Sequence, residues 1–124
     1  MNILIVEDNT VYRTDLANGL KDKFTVISVG TIDAAKKALE QTKNIPFIIM
    51  DGNLSSPGDG VDFVQKIAAT YDGLIIANSS EETVNDALVL SGCQYPPKVK
   101  GKKHTAEDIL LILEKELATP KPPV

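Results

Sequence analysis

The chain has 124 residues, 43% of them hydrophobic and 24% charged, and a net charge of −4. This is the composition of one soluble domain with a real core, and the acidic balance argues against nucleic acid as a partner. No apolar run nears the roughly 20 residues of a membrane span, and a single cysteine, Cys93, excludes an internal disulfide and fits a reducing, cytoplasmic setting.

The opening, MNILIVEDN, turns acidic too early for a signal peptide. Its Ile3–Val6 run is continuously apolar, as in a strand covered on both faces. Thr10–Leu20 has the helical period, with Tyr12, Leu16 and Leu20 on one stripe, and Phe24–Val29 reads as a second strand. Thr31–Gln41 opens on a capping-type threonine with Asp33 behind it and continues as a helix. Phe47–Met50 is a third strand, and GNLSSPGDG (52–60) is a loop by composition.

Val61–Ala69 is expected to be helical, Leu74–Ala77 a fourth strand and Ser79–Leu90 a fourth helix, with Ser79-x-x-Glu82 spelling a capping box. Val89 and Leu90 fall off its inward stripe. Tyr95–Val99 is a weak fifth strand, in which two prolines suit an edge. Thr105–Ala118 is the last helix, capped by Thr105, with Ile109, Ile112, Leu113 and Leu117 as its stripe. His104 and Cys93 read as an ordinary surface residue and an inert small one.

Five β-then-α units imply an α/β domain: a doubly wound, five-stranded parallel sheet with helices on both faces. The open order 2-1-3-4-5 places strands one and three side by side, about 5 Å apart, at the topological switch point where such sheets bind ligands. Strand one ends on Glu7-Asp8 and strand three on Asp51, so three carboxylates converge there. So much negative charge calls for a hard divalent cation, and an all-oxygen donor set suits Mg²⁺. Beside that ion Asp51 is placed to act as a nucleophile toward a phosphoryl group. Ser79, after strand four, and Lys98, late in strand five, are placed to satisfy its oxygens.

ILIVEDN, IIMD, IIANSS and Y-x-x-K in YPPK, in this order, make the chain resemble a response-regulator receiver domain of two-component signalling, chemotaxis-receiver-like, over residues 1–118. Residues 119–124 are then a proline-rich tail. The resemblance implies a flavodoxin-like (βα)5 fold and Mg²⁺ as cofactor. It implies a sensor histidine kinase or phosphotransfer protein as phosphodonor and a downstream protein target; composition and the apolar runs give neither nucleic acid nor membrane as partner. By motif, Glu7, Asp8, Asp51 and the backbone carbonyl of Asn53 resemble the metal ligands and Asp51 the phospho-acceptor. Ser79 stands for the switch hydroxyl, Tyr95 for the switch aromatic and Lys98 for the phosphate-binding lysine. Asn53 and Glu81 fall on positions that tune phosphoryl lifetime, and Val11, Thr14 and Asp15 are candidates for partner choice.

The chain departs from the family pattern in two places. Ser55 stands where a proline is usual, and Asp59-Gly60 comes late, so the loop after Asp51 is expected to be rebuilt. Val99 follows Lys98 where the family has a cis-proline, and the Gly92–Tyr95 segment is short by one residue. The function expected is that of a phospho-acceptor signalling domain, catalysing only its own phosphotransfer and dephosphorylation. The alternatives are a degenerate receiver that binds partners without phosphorylation and, further off, a small aspartate-nucleophile phosphatase. The latter needs an acid two residues after the nucleophile, where this chain has Asn53.

Overall fold

Nine elements follow one another in the computed structural model, which describes residues 1–119. They are β1 (Asn2–Val6), α1 (Thr10–Leu20), β2 (Thr25–Val29), α2 (Ile32–Gln41) and β3 (Phe47–Met50), then α3 (Asp59–Ile67), β4 (Leu74–Ala77), α4 (Glu82–Ser91) and α5 (Ala106–Ala118). The strands are all parallel, in the order β2-β1-β3-β4. This is the doubly wound α/β arrangement expected from the alternation. The expected tail lies, but for Thr119, outside the described residues.

The continuous apolar runs have a simple cause. Successive side chains of a strand point to opposite faces, and here both faces are covered. Ile3 and Ile5 of β1 pack with Leu16 and Leu20 of α1 and with Ile109 and Leu113 of α5. Leu4 and Val6 face the other way, toward Ala35, Ala38, Phe63, Val64 and Leu88 of α2, α3 and α4. Each fully buried aliphatic side chain contributes about 1.5–3 kcal/mol, so β1 and β3 anchor the sheet from its middle.

The fifth strand is the main departure from expectation. It is reduced to one parallel bridge between Ile76 and Gln94, beside β4 where a fifth strand would lie. Gln94 donates its N–H to Ile75 and accepts from Ala77. Tyr95 then takes a left-handed φ of 54°, which turns the chain out of the sheet, and Pro96 and Pro97 have no N–H with which to continue a ladder.

Helix ends differ in detail. The loop before α3 is shorter than expected, and α3 starts at Asp59 instead of Val61. The capping box foreseen at Ser79 does not form, because α4 begins three residues later, behind Glu81. Thr105 and Asp108 do form one at α5. Leu117, assigned to the inward stripe of α5, is 49% exposed. His104 is buried instead of superficial.

Candidate functional site

Parallel register sets the site. Val6 pairs with Met50 and Met50 with Ala77, so Glu7, Asp51 and Asn78 leave neighbouring strands together at the carboxyl edge of the sheet. The backbone ladder runs one step further: Asp51 N–H donates to Val6 and Asn78 N–H to Met50. Carboxylate oxygens of Glu7, Asp8 and Asp51 all lie within 4.8 Å of one another. Glu7 is 2% and Asp51 5% exposed, whereas Asp8 is open to solvent.

Burial raises both buried acids, and a neighbouring carboxylate adds to it: Asp51 for Glu7, Asp8 for Asp51. Burial is the larger cause for Glu7, whose carboxyl is pushed up to about 7, with the Asp51 charge adding to it. Burial likewise raises Asp51, while the Lys103 charge opposes the rise. Glu7 is held in place by the Asn9 N–H on its carboxylate (3.0 Å) and by Arg13, whose guanidinium donates to its backbone carbonyl (2.6 Å).

The cation at this cluster is Lys103. Its ammonium pairs with Glu7 and lies 3.5 Å from Asp51 Oδ2, on a side chain only 19% exposed. The Y-x-x-K reading put Lys98 here, and the structure corrects it. After Tyr95 the chain makes an exposed loop, with a turn in which Lys102 N–H donates to Val99, and Gly101 at φ 76°. Lys98 is exposed within that loop. The chain returns to the sheet edge only at Lys103, two residues ahead of the Thr105 cap. That spacing was the missed signal: the legible start of the last helix marks where the chain must be back at the carboxyl edge.

Of the other expected site residues, Ser79 is buried just past β4. Its backbone is gripped by Asn85 of α4, which accepts the Ser79 N–H (2.9 Å) and donates to its carbonyl (2.8 Å). Its hydroxyl accepts the Glu81 N–H (3.1 Å). Tyr95 packs against α5, its hydroxyl donating to Glu116 (2.5 Å) and its ring 5.8 Å from the Lys115 ammonium. Asn53 lies in the loop after Asp51; its side chain accepts the Gly58 N–H (2.7 Å) and donates to Glu81 (3.4 Å).

That loop is rebuilt around Asp59, as the displaced Asp-Gly pair led one to expect. The Asp59 carboxylate accepts the N–H groups of Leu54, Ser55 and Ser56 at 2.8–3.2 Å. Gly60 then passes so close to the end of β3 that a Cβ there would sit 2.1 Å from the Asp51 carbonyl oxygen. Only glycine permits that approach. The donor set, three carboxylates and no sulfur or imidazole, fits a hard divalent cation. Among the described residues, no helix is long and apolar enough to cross a membrane.

The family model for the response regulator receiver domain matches residues 3–95. Comparison with curated proteins by sequence gives no match. Among solved structures, the receiver domain of NtrX from Brucella abortus superposes with a TM-score of 0.79 at 20% identity, over 95% of this chain and 99% of that one. The N-terminal domain of a response regulator/sensory box/GGDEF three-domain protein from Carboxydothermus hydrogenoformans gives 0.75 at 25% identity, over 94% of each chain. A Burkholderia pseudomallei response regulator, solved with a phosphorylated aspartic acid, calcium ion and citrate, gives 0.71 at 24% identity, over 99% of this chain and 76% of that one. The matched segment holds the acidic pair after β1, the aspartate after β3 and the hydroxyl after β4, and the chain belongs to the response regulator receiver domain family.

Proposed function

We propose that this receiver takes a phosphoryl group onto Asp51 from a phosphohistidine of a partner kinase or phosphotransfer protein, in the presence of Mg²⁺. The observation that carries this reading is the meeting of Asp51 with Glu7, Asp8 and Lys103 at one point of the sheet edge. In the transfer the donor's P–N bond breaks, its electron pair stays with the imidazole nitrogen, which takes up a proton, and an O–P bond forms on Asp51. Glu7, Asp8, Asp51 and the Asn53 carbonyl would hold the metal, which when bound offsets carboxylate charge and polarises a phosphoryl oxygen.

The chain's own residues do the rest. Lys103 meets the incoming charge with an ammonium already aimed at Asp51, a preorganised arrangement that lowers the barrier. Ser79 offers its hydroxyl from a backbone that Asn85 holds still. Asn53 and Glu81, joined across the mouth of the site, are placed to orient an attacking water, so the phosphoryl group is not especially long-lived. The output is a change of surface read by a downstream protein, and the setting is cytoplasmic.

Intact mass after incubation with acetyl phosphate, with and without Mg²⁺, on wild type and Asp51→Asn, tests the reading. One added phosphoryl group that requires both the ion and Asp51 supports it. Folded protein that never takes label supports instead a receiver that binds its partners without phosphorylation. Catalytic release of phosphate from many esters would indicate a hydrolase.

A further inference from the structure

Beside Lys103 lies a closed polar triangle that the sequence did not announce. Asn78, 1% exposed, accepts the His104 N–H on its Oδ1 (2.8 Å) and donates from Nδ2 to the Tyr12 hydroxyl (2.7 Å). That hydroxyl in turn donates to the His104 carbonyl (2.5 Å). Both polar groups of the His104 backbone are therefore held by side chains, one from the end of β4 and one from α1. The Tyr12 ring has a second contact: the Lys103 ammonium lies 5.1 Å from its centroid.

The position of this triangle matters because of what the fold lacks. Among the described residues the last one paired in the sheet is Gln94, and the chain then leaves through an exposed loop. Among the described residues no strand ladder fixes the backbone on its return. A lysine side chain is long and rotamer-rich, so where its ammonium ends up depends on how firmly its Cα is held. His104 ties the base of the loop together: its ring Nε2–H donates to the Tyr95 carbonyl (2.7 Å), while its backbone is clamped by Asn78 and Tyr12. A carbonyl can only accept, so the ring carries its proton on Nε2.

We propose that Asn78 and Tyr12 are positioning residues that aim the Lys103 ammonium at Asp51, in place of the ladder that a full fifth strand would provide. The consequence for phosphotransfer rests on the reading of Asp51 given above, but the aiming itself does not. The plain alternative is that the triangle only satisfies buried polar groups, as nearly all buried polar groups must be satisfied. The two accounts differ in what happens to Lys103.

Two readouts on Asn78→Val and Tyr12→Phe separate them. The first is the reactivity of each lysine toward a limiting amine-acetylating reagent, mapped by peptide mass, with the exposed Lys98 and Lys102 as internal references. Lys103, 19% exposed and ion-paired, is expected to react slowly in wild type, and its rate is expected to rise toward that of Lys102 in both variants. The second is the rate of Asp51 labelling by acetyl phosphate with Mg²⁺. Each variant is expected to lose about ten-fold with Lys103 present and less than about two-fold in a Lys103→Ala background, since coupled residues are non-additive. Lys103 remaining protected in both variants, or equal losses in both backgrounds, would overturn the proposal. If wild type takes no label, the phospho-acceptor reading fails and the acetylation pattern alone decides this one. If Asn78→Val does not fold, Tyr12→Phe, which keeps the ring and removes one oxygen, carries both readouts.

Discussion

Lys103 Nζ stands 3.5 Å from Asp51 Oδ2, although the two residues are joined by neither a strand pair nor a helix turn. The ammonium also pairs with Glu7, so among the described residues it is the side-chain cation that forms ion pairs with the acidic cluster. Burial works against the ammonium, and its two carboxylate partners outweigh that and raise its pKa. Removing it should be felt at the acceptor. We expect Lys103→Ala to slow labelling by acetyl phosphate about 100-fold, the scale of one preorganised charge lost from a transition state. Lys98→Ala should stay within about two-fold, since Lys98 is exposed in its loop and exposed charges contribute little. The reverse ranking would return the phosphate contact to Lys98.

Gly60 makes the end of β3 sensitive to a single methyl group. A Cβ there meets the Asp51 carbonyl oxygen at 2.1 Å and the Gly52 Cα at 2.8 Å, and both are backbone atoms that cannot rotate away. Gly60→Ala should lose about 3 kcal/mol of stability in urea unfolding, at the upper end for overpacking. A wild-type midpoint in that variant would mean that α3 does not start against Asp51.

Asn85 holds both backbone polar groups of Ser79 in a buried setting. Asn85→Ala leaves a donor and an acceptor unpaired, which should cost about 2–4 kcal/mol. Chemical denaturation checks this directly, and a loss below 1 kcal/mol, on the scale of a solvated contact, would show that water reaches the site.

On the proposed function, Asn53 and Glu81 bear on the lifetime of the phosphoryl group. The Asn53 amide donates to Glu81 at 3.4 Å, and under the proposed function the pair orients water at Asp51. Asn53→Ala and Glu81→Ala should each lengthen the phosphoryl half-life several-fold, followed by loss of the added mass at neutral pH. A wild-type half-life of many hours would remove the basis for this expectation.

His104 should make stability depend on pH. Burial is the largest cause of its lowered pKa, so the folded state prefers the neutral ring. A base with a depressed folded pKa contributes its full stability above the unfolded value, about 6.5, and loses it as pH falls toward the folded value. Glu7 slopes the other way: its carboxyl, raised to about 7 mainly by burial, favours the fold at low pH and loses that contribution as pH rises through that value. The His104 slope is therefore read as a difference. Thermal midpoints of wild type minus His104→Asn should fall from pH 7 to pH 5, and a flat difference would show that the ring titrates normally.

Much of this protein was legible in the chain before it was folded. The Ile3–Val6, Phe47–Met50 and Leu74–Ala77 runs located three strands because alternation and apolar continuity are local properties. The acidic trio followed from strand ends alone, since parallel neighbours in register bring their carboxyl termini together. The Thr105 cap was readable for the same reason: a capping box spans a single turn.

The tertiary structure decided which lysine reaches Asp51, that the fifth strand shrinks to Gln94, that Ser79 is held by Asn85 instead of capping α4, and that His104 is buried. Each of these depends on where a loop of irregular path returns to the sheet. Such a path is set by partners far away in sequence: Tyr12 and Asn78 for His104, and Glu7 and Asp51 for Lys103. Local periodicity carries strands and helices, and it carries no information about the closure of a loop between them.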